Sequence, residues 1–199
     1  MSKVLCVTSR SLCREDFFVR LEKIARAGCA GILLREKDLS PRQYGELAER
    51  VLSLCRAHQV PCILHSHAEI AAELGAPALH LPLPLLEALP APLRGKFSSL
   101  GASCHSVEDA LRAQALGCTY LTAGHIFATD CKKGLAPRGL EFLREVCQAV
   151  EIPVWAIGGI RPENLPQVLA AGAAGGCVMS GLMACPDPAA ALAAFAAAE

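Results

Sequence analysis

The sequence predicts a single (β/α)8 barrel, the TIM-barrel architecture of the α/β class, as one domain over residues 1–199. Short apolar runs alternate with segments of helical periodicity along the whole chain, which gives eight strand–helix units. The apolar runs are continuous rather than alternating with polar residues, as expected of parallel strands buried on both faces. No stretch rich in Pro, Gly and Ser divides the chain. A doubly wound open sheet is the alternative architecture.

The predicted strands are short, mainly apolar runs that end where polar residues or glycines begin. Their spacing leaves room for a helix between neighbouring runs, as parallel strands require. The eight runs cover residues 4–7, 31–34, 62–64, 78–81, 100–103, 119–122, 154–157 and 176–179.

The predicted helices combine apolar residues at helical spacing with residues that begin or end helices. Gly28 is placed to end the first helix. Ser40 and Pro41 form an N-cap and a first-turn proline for the second. Ser106 caps a helix whose first turn is acidic, which suits the helix dipole. The proline-rich residues 82–92 predict only a turn or two of helix. The remaining pattern predicts helices over residues 14–28, 41–58, 68–74, 106–116, 140–150, 162–171 and 188–198.

Composition limits the class of partner and the compartment. Nineteen basic and nineteen acidic side chains cancel, so nothing indicates a nucleic acid or an anionic membrane as partner. Eleven cysteines lie scattered through apolar runs without a C-x-x-C pair, which favours buried thiols in a reducing compartment. No apolar window suits a signal peptide or a membrane span. We therefore expect a cytoplasmic protein.

Polar residues cluster where the predicted strands end, and the active site of such a barrel lies at that end. The longest polar segment is the glycine-bounded loop of residues 123–139, which follows the sixth strand. Loops of this length and polarity are more often functional than merely connecting. Five of the six histidines also fall at strand ends: His65, His67, His80, His105 and His125.

Two turns at the ends of the last two strands predict a phosphate site. Gly158 and Gly159 follow strand seven, and Ser180 and Gly181 follow strand eight. Glycines let backbone N–H groups approach a phosphate closely, and helix starts add partial positive charge. Barrels often bind phosphate with these two loops. The alternative is that Gly158-Gly159 is only a tight turn.

Three cations are candidates for binding the anionic groups of a ligand. Arg35 follows a buried strand directly, so its guanidinium can reach inward and hold a carboxylate or phosphate. Lys37 and Lys132 lie on loops at the same end of the barrel. Ser103, at the end of strand five, is assigned to the same ligand. Solvated surface charges are the alternative interpretation of the cations.

The histidines divide into two groups. The H-x-H pair His65 and His67, with His80 nearby, invites a metal-site interpretation. No carboxylate stands at the neighbouring strand ends, so we predict no metal. His125 is the candidate catalytic residue, because imidazole has an ordinary pKa of ~6.5 and both takes and gives a proton near neutrality. The alternative is that His125 is a hydrogen-bonded polar residue without a catalytic role.

These motifs together resemble one family. L-L-R-E-K-D-L, G-A-S-C-H-S-V-E-D-A, G-H-I-F-A-T-D-C-K-K-G, A-I-G-G-I and V-M-S-G resemble the thiamine phosphate synthase superfamily, in the family's order and over nearly the whole chain. The stretch G-H-I-F-A-T-D-C-K-K-G-L-A-P-R-G is similar to the TenI branch, the thiazole tautomerases. Two departures from the synthase pattern agree with that branch. Synthases carry aspartates that hold magnesium after strands three and four, where this chain has His65-Ser66-His67 and Leu81-Pro82-Leu83. They also have proline where this chain has His125.

The resemblance implies an isomerase of thiamine biosynthesis. A thiazole tautomerase converts the ylidene carboxythiazole phosphate into the aromatic carboxythiazole phosphate by a cofactor-free proton shift, with His125 as base and then acid. The small-molecule thiazole phosphate is the expected partner, and the family resemblance suggests a homodimer. Two alternatives stay open: a transferase like thiamine phosphate synthase, and a non-catalytic, regulatory protein that binds a phosphorylated ligand.

Overall fold

A computed structural model describes residues 2–129, 132 and 134–199 and shows a closed barrel of eight parallel strands. Each strand pairs with its neighbours in the sequence, and the first strand pairs with the last. The predicted (β/α)8 barrel is therefore confirmed. Asp130, Cys131 and Lys133 of the predicted polar loop lie outside the described residues. The strands are β1 (Val4–Val7), β2 (Gly31–Leu34), β3 (Cys62–His65), β4 (Ala78–Pro82), β5 (Ser99–Cys104), β6 (Tyr120–Gly124), β7 (Val154–Ile157) and β8 (Gly175–Val178).

Helices pack around the barrel and none of them, in the part of the chain that the structure describes, is long and apolar enough to cross a membrane. They are α1 (Phe17–Arg26), α2 (Pro41–Ala57), α3 (Ala68–Glu73), α4 (Leu83–Ala88), α5 (Ala91–Arg94), α6 (Val107–Ala115), α7 (Gly139–Ala149), α8 (Leu165–Ala170), α9 (Ser180–Met183) and α10 (Pro188–Ala197).

The helices differ from the prediction at four places. The first begins at Phe17 rather than residue 14, because the Asp16 side chain accepts hydrogen bonds from the two N–H groups that follow Phe17. Residues 82–92 form two short helices, α4 and α5. Proline at the first or second helical position suits the start of each, since it lacks an N–H there. The predicted helix 162–171 begins as a 3-10 turn, Pro162–Asn164, and α9 is too short for periodicity to detect.

Side chains alternate between two cores along every strand. The inner core fills the barrel, and the larger outer core lies between the strands and the helices. On β2, for example, Leu33 points inward, while Ile32 and Leu34 point outward. Gly101 on β5 leaves space for the ring of Tyr120, because a Cβ there would lie 2.1 Å from Tyr120 Cζ. This alternation decides which residues reach the mouth of the barrel, the open end where the strands' carboxyl ends meet.

Candidate functional site at the barrel mouth

Inward-facing polar side chains form a buried layer below the mouth. His80 is 2% exposed, and its Nδ1 lies 3.0 Å from the hydroxyl of Tyr120. Its Nε2 lies 2.9 Å from Ser103 Oγ and 3.4 Å from Thr122 Oγ1. Burial lowers the pKa of His80 to about 3, so this imidazole is neutral near neutral pH. The predicted ligand residue Ser103 is thus tied into a neutral hydrogen-bond network.

His65 lies beside this layer. Its ring stacks on that of His80 with centroids 5.9 Å apart, and Ser66 Oγ lies 2.7 Å from its Nδ1. Burial, together with the nearby His80, Arg35 and Lys37, lowers the pKa of His65 to about 3. The two cations of the second loop therefore lie close to the inner face of β3.

Arg35, Lys37 and Lys132 form a cation cluster at the mouth. Arg35 and burial lower the pKa of Lys37, and Lys132 adds to the effect. Like charges repel in this way only at short range. Neither Arg35 nor Lys37 has a carboxylate partner among the described residues. The structure thus brings together the three cations that the sequence assigned to anionic groups.

The two predicted phosphate turns lie side by side at the ends of β7 and β8. Gly158 and Gly159 have φ of +100° and +68°, which favours glycine at both. Within the described ranges, the N–H groups of Gly158, Gly159, Ser180 and Gly181 donate to no protein acceptor. Gly158 and Gly159 are half-buried and Ser180 and Gly181 are exposed, so the four free donors are accessible to an anion at the mouth.

His125 packs directly on the first of these turns. A Cβ at Gly158 would lie 2.3 Å from His125 Cβ, so only glycine permits the contact. The peptide bond between Gly124 and His125 is cis. The carbonyl oxygen of Gly124 accepts hydrogen bonds from His105 Nδ1 at 2.9 Å and Arg138 Nε at 3.2 Å. His125 Nε2 lies 3.4 Å from the Leu135 carbonyl oxygen, so the imidazole contacts the polar loop while its Cβ packs on Gly158.

A small recess, apolar on its β4 side, opens next to the mouth at the ends of β4 and β5. It has a volume of about 230 Å³. The side chain of Asp109 lies at its rim and accepts a hydrogen bond from His105 N at 2.8 Å. The walls consist of Pro82, Leu83, Pro84, Ser103, His105 and Asp109.

Sequence reasoning missed several residues that shape this site. His105 and Arg138 both hold the peptide that carries His125, yet the sequence analysis gave neither a role. Arg138 stands in the polar loop motif and His105 is one of the strand-end histidines, so both signals were present. Thr8 and Glu36, which fix the second loop, also follow predicted strands, but their pairing joins the loops after β1 and β2 and could not be read from either stretch alone.

Magnesium, which the synthase pattern implies, does not fit the described residues at the two expected places. Ser66 stands where the first aspartate is expected, and its hydroxyl is engaged by His65. Pro82 and its neighbours offer no side-chain oxygen at the second place. In the described ranges, no group of three or more His, Cys, Asp or Glu side chains is arranged to hold a metal ion. A hard cation there would also face Arg35 and Lys37.

Fold and mouth together define the class: a (β/α)8-barrel protein that presents free N–H groups and clustered cations at the carboxyl ends of its strands. Comparison with known proteins gives the family. Residues 4–182 match the thiamine monophosphate synthase family, and the chain belongs to that family. It is 34% identical over 185 residues to a thiamine-phosphate synthase of Clostridium acetobutylicum, covering 91% of this chain and 87% of the relative. It is 35% identical over 176 residues to thiamine-phosphate synthase 2 of Streptococcus pneumoniae, covering 87% and 83%.

A solved structure of similar fold agrees with the family assignment. The thiamine phosphate pyrophosphorylase of Pyrococcus furiosus superimposes with a TM-score of 0.84 at 29% identity, covering 98% of this chain and 94% of that one. These comparisons support thiamine biosynthesis and do not distinguish the TenI branch from the synthases.

The predicted isomerase activity is wrong on these comparisons. Relatives at about 35% identity over most of the chain are named thiamine-phosphate synthases, which are transferases. The prediction relied on His125 and on the two replaced aspartates, a few positions in one part of the barrel. Similarity spread over the whole chain outweighs them.

Proposed function

We propose that this protein is a transferase of the thiamine-phosphate-synthase type, which joins a pyrimidine carried on pyrophosphate to a phosphorylated thiazole. The observation that carries the proposal is the presence of two anion-binding features at one mouth. A transferase of this type handles two anionic substrates at once, and each needs its own partners.

The glycine turns are proposed to bind the phosphate of the thiazole. The free N–H groups of Gly158, Gly159, Ser180 and Gly181 supply uncharged donors of fixed direction. His125 lies against Gly158 and is placed to contact the same phosphate or the ring attached to it.

The cation cluster is proposed to bind pyrophosphate. Arg35 offers a planar fork of donors that matches phosphate oxygens, and Lys37 and Lys132 add point charges. These side chains are also placed to stabilise the negative charge that builds on the departing pyrophosphate. The recess is apolar at Pro82–Pro84 and polar at Ser103, His105 and Asp109, which suits a heteroaromatic ring that carries hydrogen-bonding nitrogens.

The reaction itself is a substitution at carbon. The thiazole ring nitrogen supplies the electron pair of the new bond to the pyrimidine methylene carbon. The bond between that carbon and the pyrophosphate oxygen breaks, and its electron pair leaves with the oxygen. No proton moves in this step, so the chain's task is to bind, to orient and to stabilise charge.

The test is the formation of thiamine phosphate from hydroxymethylpyrimidine pyrophosphate and thiazole phosphate, with magnesium and with a chelator. We expect product from the wild type. Arg35→Gln and Lys37→Gln are each expected to raise KM for the pyrophosphate substrate about tenfold or more, the effect of losing a charge-assisted hydrogen bond. Lys96→Gln is the matched control, because this exposed lysine precedes β5 at the opposite end of the barrel. Absence of product under both conditions refutes the proposal.

A second candidate is a protein that binds a phosphorylated thiazole without transforming it. It is favoured by the poor fit of magnesium to Ser66 and to the Pro82 segment. Saturable binding of thiazole phosphate, measured by calorimetry, without any thiamine phosphate formed, supports this candidate over the transferase.

A further inference from the structure

A buried carboxylate joins the first two loops of the barrel mouth. Glu36 is 5% exposed and follows β2. Its Oε1 accepts a hydrogen bond from Thr8 Oγ1 at 2.7 Å, and both carboxylate oxygens lie within 3.2 Å of the Arg10 backbone nitrogen. Arg10 Nε lies 3.4 Å from Glu36 Oε2. Thr8 is fully buried, and its Oγ1 accepts a hydrogen bond from Arg35 N at 3.0 Å.

The contacts of this loop alternate along the chain. Glu36 and Asp38 both face Arg10, since Arg10 Nη2 donates to Asp38 Oδ2 at 2.7 Å. Arg35 precedes Glu36, and its backbone N–H is held by Thr8 Oγ1 at 3.0 Å. β2 places Leu33 inward and Leu34 outward, and the turn begins only at Lys37, so Arg35 continues the inward side and Glu36 the outward side. Arg35 and Lys37 both lie near enough to His65 to lower its pKa. Fixing Glu36 on the outer side therefore directs its two basic neighbours to the mouth.

We infer that Glu36 is a positioning residue for the cation cluster: its buried carboxylate, held by Thr8 and Arg10, keeps Arg35 and Lys37 turned toward the bound anion. The inference rests on the proposed function, because it takes that cluster to be the pyrophosphate site. Without this anchor, the like charges of Arg35 and Lys37 move apart into solvent. Binding of the anion then has to reorder both side chains, which lowers its affinity.

A positioning role and a purely electrostatic role of Glu36 predict opposite changes in pyrophosphate affinity when its charge is removed. Removing a negative charge next to an anion site strengthens anion binding if only Coulomb's law acts. Removing the anchor weakens binding if Glu36 positions the cations. The direction of the change in affinity therefore decides between the two.

The experiment measures the affinity for inorganic pyrophosphate and for thiazole phosphate by calorimetry, on the full chain. Glu36→Ala is expected to weaken pyrophosphate binding about tenfold, comparable to one lost charge-assisted hydrogen bond. Its affinity for thiazole phosphate is expected to stay within about twofold, because that phosphate is assigned to the glycine turns. Asp38→Asn is the control: it removes the same charge from an exposed position, and we expect equal or tighter pyrophosphate binding.

Thr8 variants keep the inference testable should Glu36→Ala unfold. Thr8→Val removes the hydroxyl that joins Glu36 to Arg35 N and is expected to weaken pyrophosphate binding in the same direction. Thr8→Ser keeps the hydroxyl and is expected to restore it. Pyrophosphate binding that is unchanged or tighter in Glu36→Ala, or in Thr8→Val, overturns the inference alone. A wild type that binds no pyrophosphate overturns the proposed function, and this inference with it.

Discussion

Substituting Gly158 by alanine tests whether the contact between the glycine turn and His125 is essential to the mouth. The added Cβ meets His125 Cβ at 2.3 Å and His125 Cα at 2.8 Å, distances that real Cβ atoms do not tolerate. The backbone also sits at φ +100°, which an L side chain rarely adopts. The φ costs about 1–2 kcal/mol, and relief of the overlap costs about 1–3 kcal/mol more. We expect Gly158→Ala to lower the free energy of unfolding by about 2–5 kcal/mol.

Gly117→Ala is the matched control. Gly117 has a φ of +91°, but an added Cβ there meets nothing within 4 Å. It carries the backbone cost alone, about 1–2 kcal/mol. Urea unfolding of both variants separates the cost of the positive φ from the cost of the overlap with His125. Calorimetry with thiazole phosphate measures the affinity of the site. We expect the affinity to fall only in Gly158→Ala. If both variants unfold alike and bind alike, the turn does not depend on the His125 contact, and the argument for a built phosphate site fails.

Two further predictions concern the interior of the barrel. Because burial lowers the pKa of His65 and His80 to about 3, the unfolded chain binds more protons than the folded one between about pH 6.5 and 3, so stability falls as pH falls through that window. The free energy of unfolding, measured in urea titrations, is expected to change by about 1.4 kcal/mol per pH unit for each histidine. His80→Gln is expected to remove the contribution of His80. A free energy of unfolding that stays constant from pH 6 to 4 contradicts the burial argument. Tyr44→Phe removes a buried hydroxyl that donates to Leu34 O at 2.8 Å and accepts from His65 N at 2.8 Å. We expect the free energy of unfolding to fall by about 1–3 kcal/mol, because two buried backbone groups lose their partner. A fall below about 0.5 kcal/mol shows that water replaces the hydroxyl.

Local sequence signals located most elements because each depends on residues close together in the chain. The capping box of α2 is an example: Ser40 Oγ accepts from Gln43 N, and the Gln43 side chain accepts from Ser40 N. Helix starts without such a signal were misplaced or missed, as at α9. The polar loop after β6 was located correctly as a feature of the mouth, because its glycine and histidine follow the strand directly.

Activity was the part that local signals misjudged. A histidine at position 125 and a serine at position 66 favoured proton transfer, since imidazole suits it and the magnesium ligands were missing. The resemblance of the whole chain to synthases corrected the isomerase prediction. Single residues at a mouth are compatible with several reactions, whereas similarity over most of the chain identifies the family.

The amino-acid sequence by itself determined the alternating strand–helix order, the strand positions to within two residues and the glycine pair Gly158-Gly159, because each follows from hydrophobic period or local backbone demand. Only the tertiary structure decided which side chains meet. Glu36 binds Thr8 and Arg10 of the loop that follows β1. Arg35 and Lys37 lie near enough to His65 to lower its pKa, and His125 packs on Gly158. Such pairings depend on the closure of the barrel and on the inward or outward sense of each strand, which no short stretch of sequence contains.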